Sequence, residues 1–156
     1  MLGVKPKEWK VCDWDVFEVM ENGDSTTSML STVGEILDQS DIPVLAYFGD
    51  KDWIVNWVQG EAFTSATEWE GNDDFIAAPY TPFKVDGVEI GSMRQFGNYH
   101  FLRMYDSGHM VPMDKPKESL EMFKRFLAND WNLESRLQKR VKLSQVALQR
   151  IIEAMF

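Results

Sequence analysis

One cysteine, Cys12, stands alone among 156 residues, so no internal disulfide can form and the small disulfide-stapled folds are excluded. Two histidines, His100 and His109, and that one thiol give no zinc-type ligand spacing; no metal and no cofactor is expected. No stretch reaches the ~20 apolar residues a membrane span needs, so no transmembrane segment is expected. Nothing near Met1 joins a basic start to an apolar run, which predicts no secretory signal, and no Asn-x-Ser/Thr acceptor occurs. Low-complexity tracts are also absent, and a composition that is 44% hydrophobic and 26% charged belongs to a globular chain.

Positive charge is scarce as well. The formal net charge is −9, and an acidic body repels phosphate backbones, which argues against a nucleic-acid partner. From Trp131 onward, five basic residues (Arg136, Lys139, Arg140, Lys142, Arg150) face two acidic ones (Glu134, Glu153), giving +3 there and −9 − 3 = −12 for residues 1–130. Residues 131–156 are therefore a compositionally separate basic tail. Leu137, Val141, Leu148, Ile151, Ile152 and Met155 recur in that tail as the stripe of an amphipathic helix, which predicts docking on its own domain or self-association, with a membrane-surface helix as the alternative.

Along the body, Met29, Leu30, Val33, Ile36 and Leu37 follow helical spacing over residues 25–39, behind Asp24 and Ser25 as caps. The run 42–48, IleProValLeuAlaTyrPhe, lacks polar alternation and predicts a strand covered on both faces. Trp57, Phe63, Ala66 and Trp69 then return to a helical period. The acidic segment from Glu68 to Asp74 is read as a solvated loop rather than a cation site. Asp86-Gly87 between two β-prone runs predicts a tight hairpin, and residues 99–105 predict a further strand. Residues 107–113 follow as a loop, and a helix from Pro116 is expected to turn Leu120, Phe123, Phe126 and Leu127 to the core.

Two loops carry the chemistry. GlyAspLysAsp at 49–52 and SerGlyHisMet at 107–110 each follow an apolar strand, so each opens at the carboxyl end of a strand, where open α/β sheets place their sites. Aspartate before histidine is also the chain order of the second half of an α/β-hydrolase triad. His100, by contrast, alternates with Leu102 and Met104 on one strand face and is expected to be a core or edge residue.

The segments GlyAspLysAspTrpIleValAsnTrp, 49–57, and GlyHisMetValPro, 108–112, resemble the aspartate and histidine motifs of the serine carboxypeptidases, the carboxypeptidase Y type most closely. The likeness runs from about Leu2 to Asp130 and leaves only the tail outside. It implies an α/β chain: residues 1–130 as the C-terminal part of an α/β-hydrolase domain with a mixed or parallel sheet and flanking helices, followed by the helical tail, 131–156. It further implies that Asp52 is the triad aspartate, His109 the general base and Asp50 structural. Met110 and Val55 would line the substrate pocket, Val55 standing where a carboxypeptidase Y-type enzyme has a free cysteine. Cys12 matches a cysteine that the family bridges to its N-terminal part.

No Gly-x-Ser-x-Gly elbow occurs in the sequence, so the nucleophile is expected from an N-terminal segment carrying the serine. The chain alone is expected to be nearly inactive, with peptide as substrate and a tendency to self-associate. The resemblance points to a vacuolar, lysosomal or secreted setting. A non-catalytic binding or structural remnant, and a carboxypeptidase-like acyltransferase or cyanohydrin-cleaving relative, remain the alternative readings.

Overall fold

Asp86 and Gly87 sit at φ 51° and 80°, the left-handed pair that a type I′ turn requires, and they close a hairpin between β2, Thr81–Val85, and β3, Val88–Phe96. A second reversal at Gly97, φ 55°, leads from β3 into β4, Tyr99–Met104. The computed structural model describes residues 12–21, 27–131 and, singly, Glu8, Lys10, Gly23 and Gln145. The helical tail expected beyond Trp131 lies outside those residues apart from Gln145, as do the expected caps Asp24 and Ser25.

In chain order the remaining elements are α1, Trp14–Glu21; α2, Leu30–Gln39; β1, Val44–Gly49; α3, Trp57–Ala66; α4, Asn72–Ala77; α5, Val111–Asp114; and α6, Pro116–Leu127. The four strands form one sheet in the order β1-β4-β3-β2. β1 pairs parallel with β4, Val44 opposite Tyr99 and Gly49 opposite Met104, while β4–β3 and β3–β2 are antiparallel. A mixed sheet with helices on both faces is part of an α/β-hydrolase fold.

Period-two alternation along β4 sorts the core into two layers. Tyr99 and Phe101 point to one face and join Leu37 of α2 and Phe75 of α4, with Trp57 and Trp69 packed around them. Leu102 and Met104 point to the other and meet Phe83, Val85, Met93, Val111 and Met122. Among the described residues no helix is long and apolar enough to cross a membrane.

Three expectations need correction. The segment Glu68–Asp74 is not a solvated loop throughout: Asn72–Ala77 is helical because Phe75, fully buried against Tyr99 at 4.9 Å between ring centroids, pins it to the sheet. The α3 helix stops at Ala66, so Trp69 reaches the core from the turn that follows. On α6 the buried residues are Ser119, Met122 and Arg125, whereas Leu120, Phe123 and Leu127 are more than half exposed. The helix is rolled so that Arg125 lies inward, its guanidinium donating to the Lys84 carbonyl at 2.8 Å and to Glu121 at 2.8 Å. Asn129, φ 46°, ends α6: its N–H reaches the Phe126 carbonyl and that of Asp130 reaches Arg125, the bonds of a Schellman motif.

Candidate active site

Because β1 and β4 are parallel neighbours, the loops that leave them emerge side by side at the same end of the sheet. Their approach is close. The Lys51 N–H donates to the Ser107 carbonyl at 2.9 Å, and a Cβ added at Gly49 would stand 2.3 Å from the carbonyl oxygens of Ser107 and Gly108. Only glycine lets the two loops meet at that point.

Asp52 closes the first loop on itself. One carboxylate oxygen accepts the N–H groups of Ile54 and Val55 at 3.0 and 3.1 Å, an Asx-type turn that fixes the side chain's rotamer. Its other oxygen lies 2.8 Å from Nδ1 of His109. The second loop is held from behind: buried Ser107 donates its hydroxyl to the Met104 carbonyl at 3.2 Å, and the Gly108 N–H donates to the Asp114 carboxylate at 2.7 Å. The sequence motifs gave no separate signal for Asp114, whose role depends on α5 folding back on the loop.

The side chains of the pair differ sharply in exposure, 7% for Asp52 against 66% for His109. The hydrogen bond from His109 holds the Asp52 carboxyl below its ordinary 3.8, outweighing the desolvation that pushes it up. Asp52 is thus ionised at neutral pH and can only accept, so in the neutral ring Nδ1 carries the proton and Nε2 carries the lone pair. Tied at Nδ1 and two-thirds exposed, the imidazole presents a basic nitrogen outward. This arrangement can take a proton from a hydroxyl brought to Nε2, stabilise the resulting imidazolium, and return the proton.

The structure brings Asp52 and His109 together and places Val55 and Met110 beside them in the chain. Val55 is 40% and Met110 59% exposed, at the open surface around the pair. The Asp50 carboxylate faces Arg103 at 3.8 Å, and Arg103 stacks over Trp57 at 3.9 Å. His100 is buried with Leu102 and Met104 as alternation predicts, its Nδ1 3.3 Å from the Val44 carbonyl, and burial pushes it below its ordinary 6.5. It belongs to the amino end of β4, opposite the loops. Cys12 is exposed. Among the described residues, no three His, Cys, Asp or Glu side chains gather as a metal site.

Comparison with known proteins agrees with the geometry. A family model described as serine carboxypeptidase matches residues 1–129. Among curated proteins, carboxypeptidase Y homolog A of Emericella nidulans is 40% identical over 136 residues, covering 83% of this chain and 24% of that protein. The homologs from Chaetomium globosum and Aspergillus oryzae are 39% and 37% identical, over 83% of this chain and 24% and 25% of theirs. The chain spans about a quarter of the length of these relatives.

Proposed function

The chain belongs to the serine carboxypeptidase family, and from that premise we propose that it supplies the aspartate and histidine of a serine peptidase triad. The reaction is hydrolysis of the last peptide bond of a peptide, with the serine contributed by residues outside these 156. The observation that carries this reading is the 2.8 Å contact between Asp52 and Nδ1 of His109, made at the end of the sheet where two parallel neighbours release their loops.

A serine hydroxyl is a poor nucleophile at neutral pH, so Nε2 of His109 removes its proton as the oxygen attacks the scissile carbonyl. Asp52 keeps the ring in the tautomer that leaves Nε2 unprotonated and steadies the imidazolium. That proton then passes to the departing amine. Met110 and Val55 flank the pocket for the departing residue; a flexible thioether at the first position accommodates varied side chains. The exposed Cys12 thiol supports a disulfide to the completing segment, which needs an oxidising compartment. Residues 1–130 form the hydrolase part and 131–156 an appended tail.

No Gly-x-Ser-x-Gly occurs in the sequence, and Ser107, the serine nearest His109 in the chain, is buried with its hydroxyl committed to the Met104 carbonyl. Alone, the chain is expected to turn over on the order of 10⁶-fold less than a complete enzyme, the loss seen when a triad lacks its serine. Joining it to a family segment that carries the serine elbow, and assaying an N-blocked dipeptide, tests the proposal. Release of the C-terminal residue is expected, abolished by His109→Ala and reduced about 10⁴-fold by Asp52→Asn. A stable joined complex that releases nothing, or one whose release survives His109→Ala, would assign the pair a non-catalytic role.

A further inference from the structure

Between the end of β1 at Gly49 and the start of α3 at Trp57 runs the loop that presents Asp52. Among the described residues little packs against its middle: Trp53 is 92% and Ile54 81% exposed. A loop with so few buried contacts keeps one shape only if its ends are fixed. The Asx-type turn orders the Asp52 carboxylate within its own loop, and the N–H bonds of Asp50 to the Met104 carbonyl and of Lys51 to the Ser107 carbonyl fasten only the loop's first residues.

Arg103 reaches both ends. It is the Cα partner of Phe48 on β1, and alternation along β4 puts its side chain on the face of Tyr99 and Phe101. From there the guanidinium faces the Asp50 carboxylate at 3.8 Å and lies over the Trp57 ring, 3.9 Å from its centroid, with the Tyr105 ring 5.5 Å away. One planar cation thus meets the first and last residues of the stretch 50–57. Its own place is set by β4, the strand that runs on toward residues 107–109 and the histidine.

Trp57 is a firm anchor. A Cβ added at Gly60 would stand 2.3 Å from the Phe48 ring, so α3 lies directly on β1, and Asn56 caps that helix by accepting the Gln59 N–H at 3.0 Å. Asp50 Oδ1 and Arg103 Nε are buried and, among the described residues, have no hydrogen-bond partner, so losing either residue leaves the other's charge under-compensated. Stacking on the indole also asks for a flat guanidinium, which a lysine ammonium does not offer.

We propose that Arg103 is a positioning residue: by clamping Asp50 at one end of the loop and Trp57 at the other, it holds the Asp52 carboxylate at its 2.8 Å contact with His109. The inference rests on the catalytic reading for its kinetic consequence, and on geometry alone for the contact itself.

The complex joined to a segment carrying the serine elbow tests it with two readouts. Misplacing a catalytic group by about 1 Å costs on the order of 10²-fold, so Arg103→Met is expected to lower kcat by about that factor while KM changes less than about threefold. In an Asp52→Asn background no carboxylate is left to aim, and the same substitution is expected to change kcat less than about threefold. A loss of equal size in the two backgrounds would make Arg103 a support of the fold at large and overturn the proposal. Nitrogen NMR of the neutral His109 ring is the second readout. With Nδ1 bonded to Asp52 it carries the proton, and Arg103→Met is expected to move both ring nitrogens toward the averaged shifts of a free imidazole. Wild-type nitrogen shifts in Arg103→Met overturn the proposal whatever the rates. If the wild-type complex releases nothing, the catalytic reading has failed and the nitrogen shifts alone decide on the clamp. If Arg103→Met does not fold, Arg103→Lys, which keeps the charge and loses the flat stack, replaces it in both readouts. About a tenfold lower kcat confined to the Asp52 background then supports the clamp, and an unaltered kcat, or the same loss in both backgrounds, refutes it.

Discussion

At the scale of single residues, the pair Asp52–His109 behaves as an acid-sensitive link. The Asp52 carboxyl is depressed below 3.8 in the folded chain by the His109 hydrogen bond and, secondarily, by the Val55 and Ile54 N–H groups. A group whose pKa is lower folded than unfolded adds stability above its unfolded value and loses it as pH falls through the folded one. Wild type is therefore expected to weaken progressively below pH 3.8, and Asp52→Asn, which cannot titrate, to show a shallower acid limb in urea midpoints measured from pH 5 to 2.5. An acid limb identical in the two chains would mean the contact does not persist in solution. The two residues could be picked out from the sequence because aspartate and histidine each sit in a distinctive motif after an apolar run. The residues that hold them could not. Asp114 acts by accepting the Gly108 N–H across a turn, and Gly49 by having no side chain where two backbones meet, neither of which leaves a periodic trace.

Elements repeat the lesson in α6. Hydrophobic spacing predicts Leu120, Phe123 and Leu127 on the inner face, yet the buried side of the helix is Ser119, Met122 and Arg125. Periodicity finds a helix's apolar stripe but cannot say which neighbour the stripe faces. Arg125 explains the roll: it is 4% exposed, bonds the Lys84 carbonyl and Glu121, and lies over the Phe83 ring at 4.9 Å. It fastens α6 to the end of β2. Removing one partner of a buried ionic contact leaves the other uncompensated, which costs roughly 3 kcal/mol when, as with Glu121, some solvent remains. Arg125→Ala is expected to lower unfolding free energy by that amount in urea, while the neighbouring exposed Lys124→Ala stays within about 0.5 kcal/mol. Equal, small effects for both would show that α6 is held by Met122 and its apolar contacts instead. The Asp86-Gly87 hairpin needed no such tertiary information, since two left-handed residues in a row are a local demand.

For the molecule as a whole, the informative feature is an open edge. Among the described residues β1 pairs with β4 alone. The Val44 N–H donates to the Asn98 carbonyl and that of Asp50 to the Met104 carbonyl, so along this strand the even-numbered N–H groups point toward β4. Alternation then sends those of Leu45 and Tyr47 outward. The strand that bears them, Val44–Gly49, contains no charge and no proline, the usual devices that keep an edge from pairing with another chain. The 156-residue chain on its own is thus expected to self-associate through this edge, with a weight-average sedimentation coefficient that rises with concentration. Two substitutions separate the backbone from the side-chain face. Tyr47→Pro deletes an outward N–H and leaves the ladder to β4 intact, because the lost donor is not one of those that face it. Tyr47→Ala keeps the N–H and removes the ring. Sedimentation velocity over a hundredfold range of concentration should find the Pro variant monomeric and the Ala variant still associating as wild type does. Association that persists undiminished in Tyr47→Pro would place the contact on the apolar faces rather than on the strand's hydrogen-bonding edge.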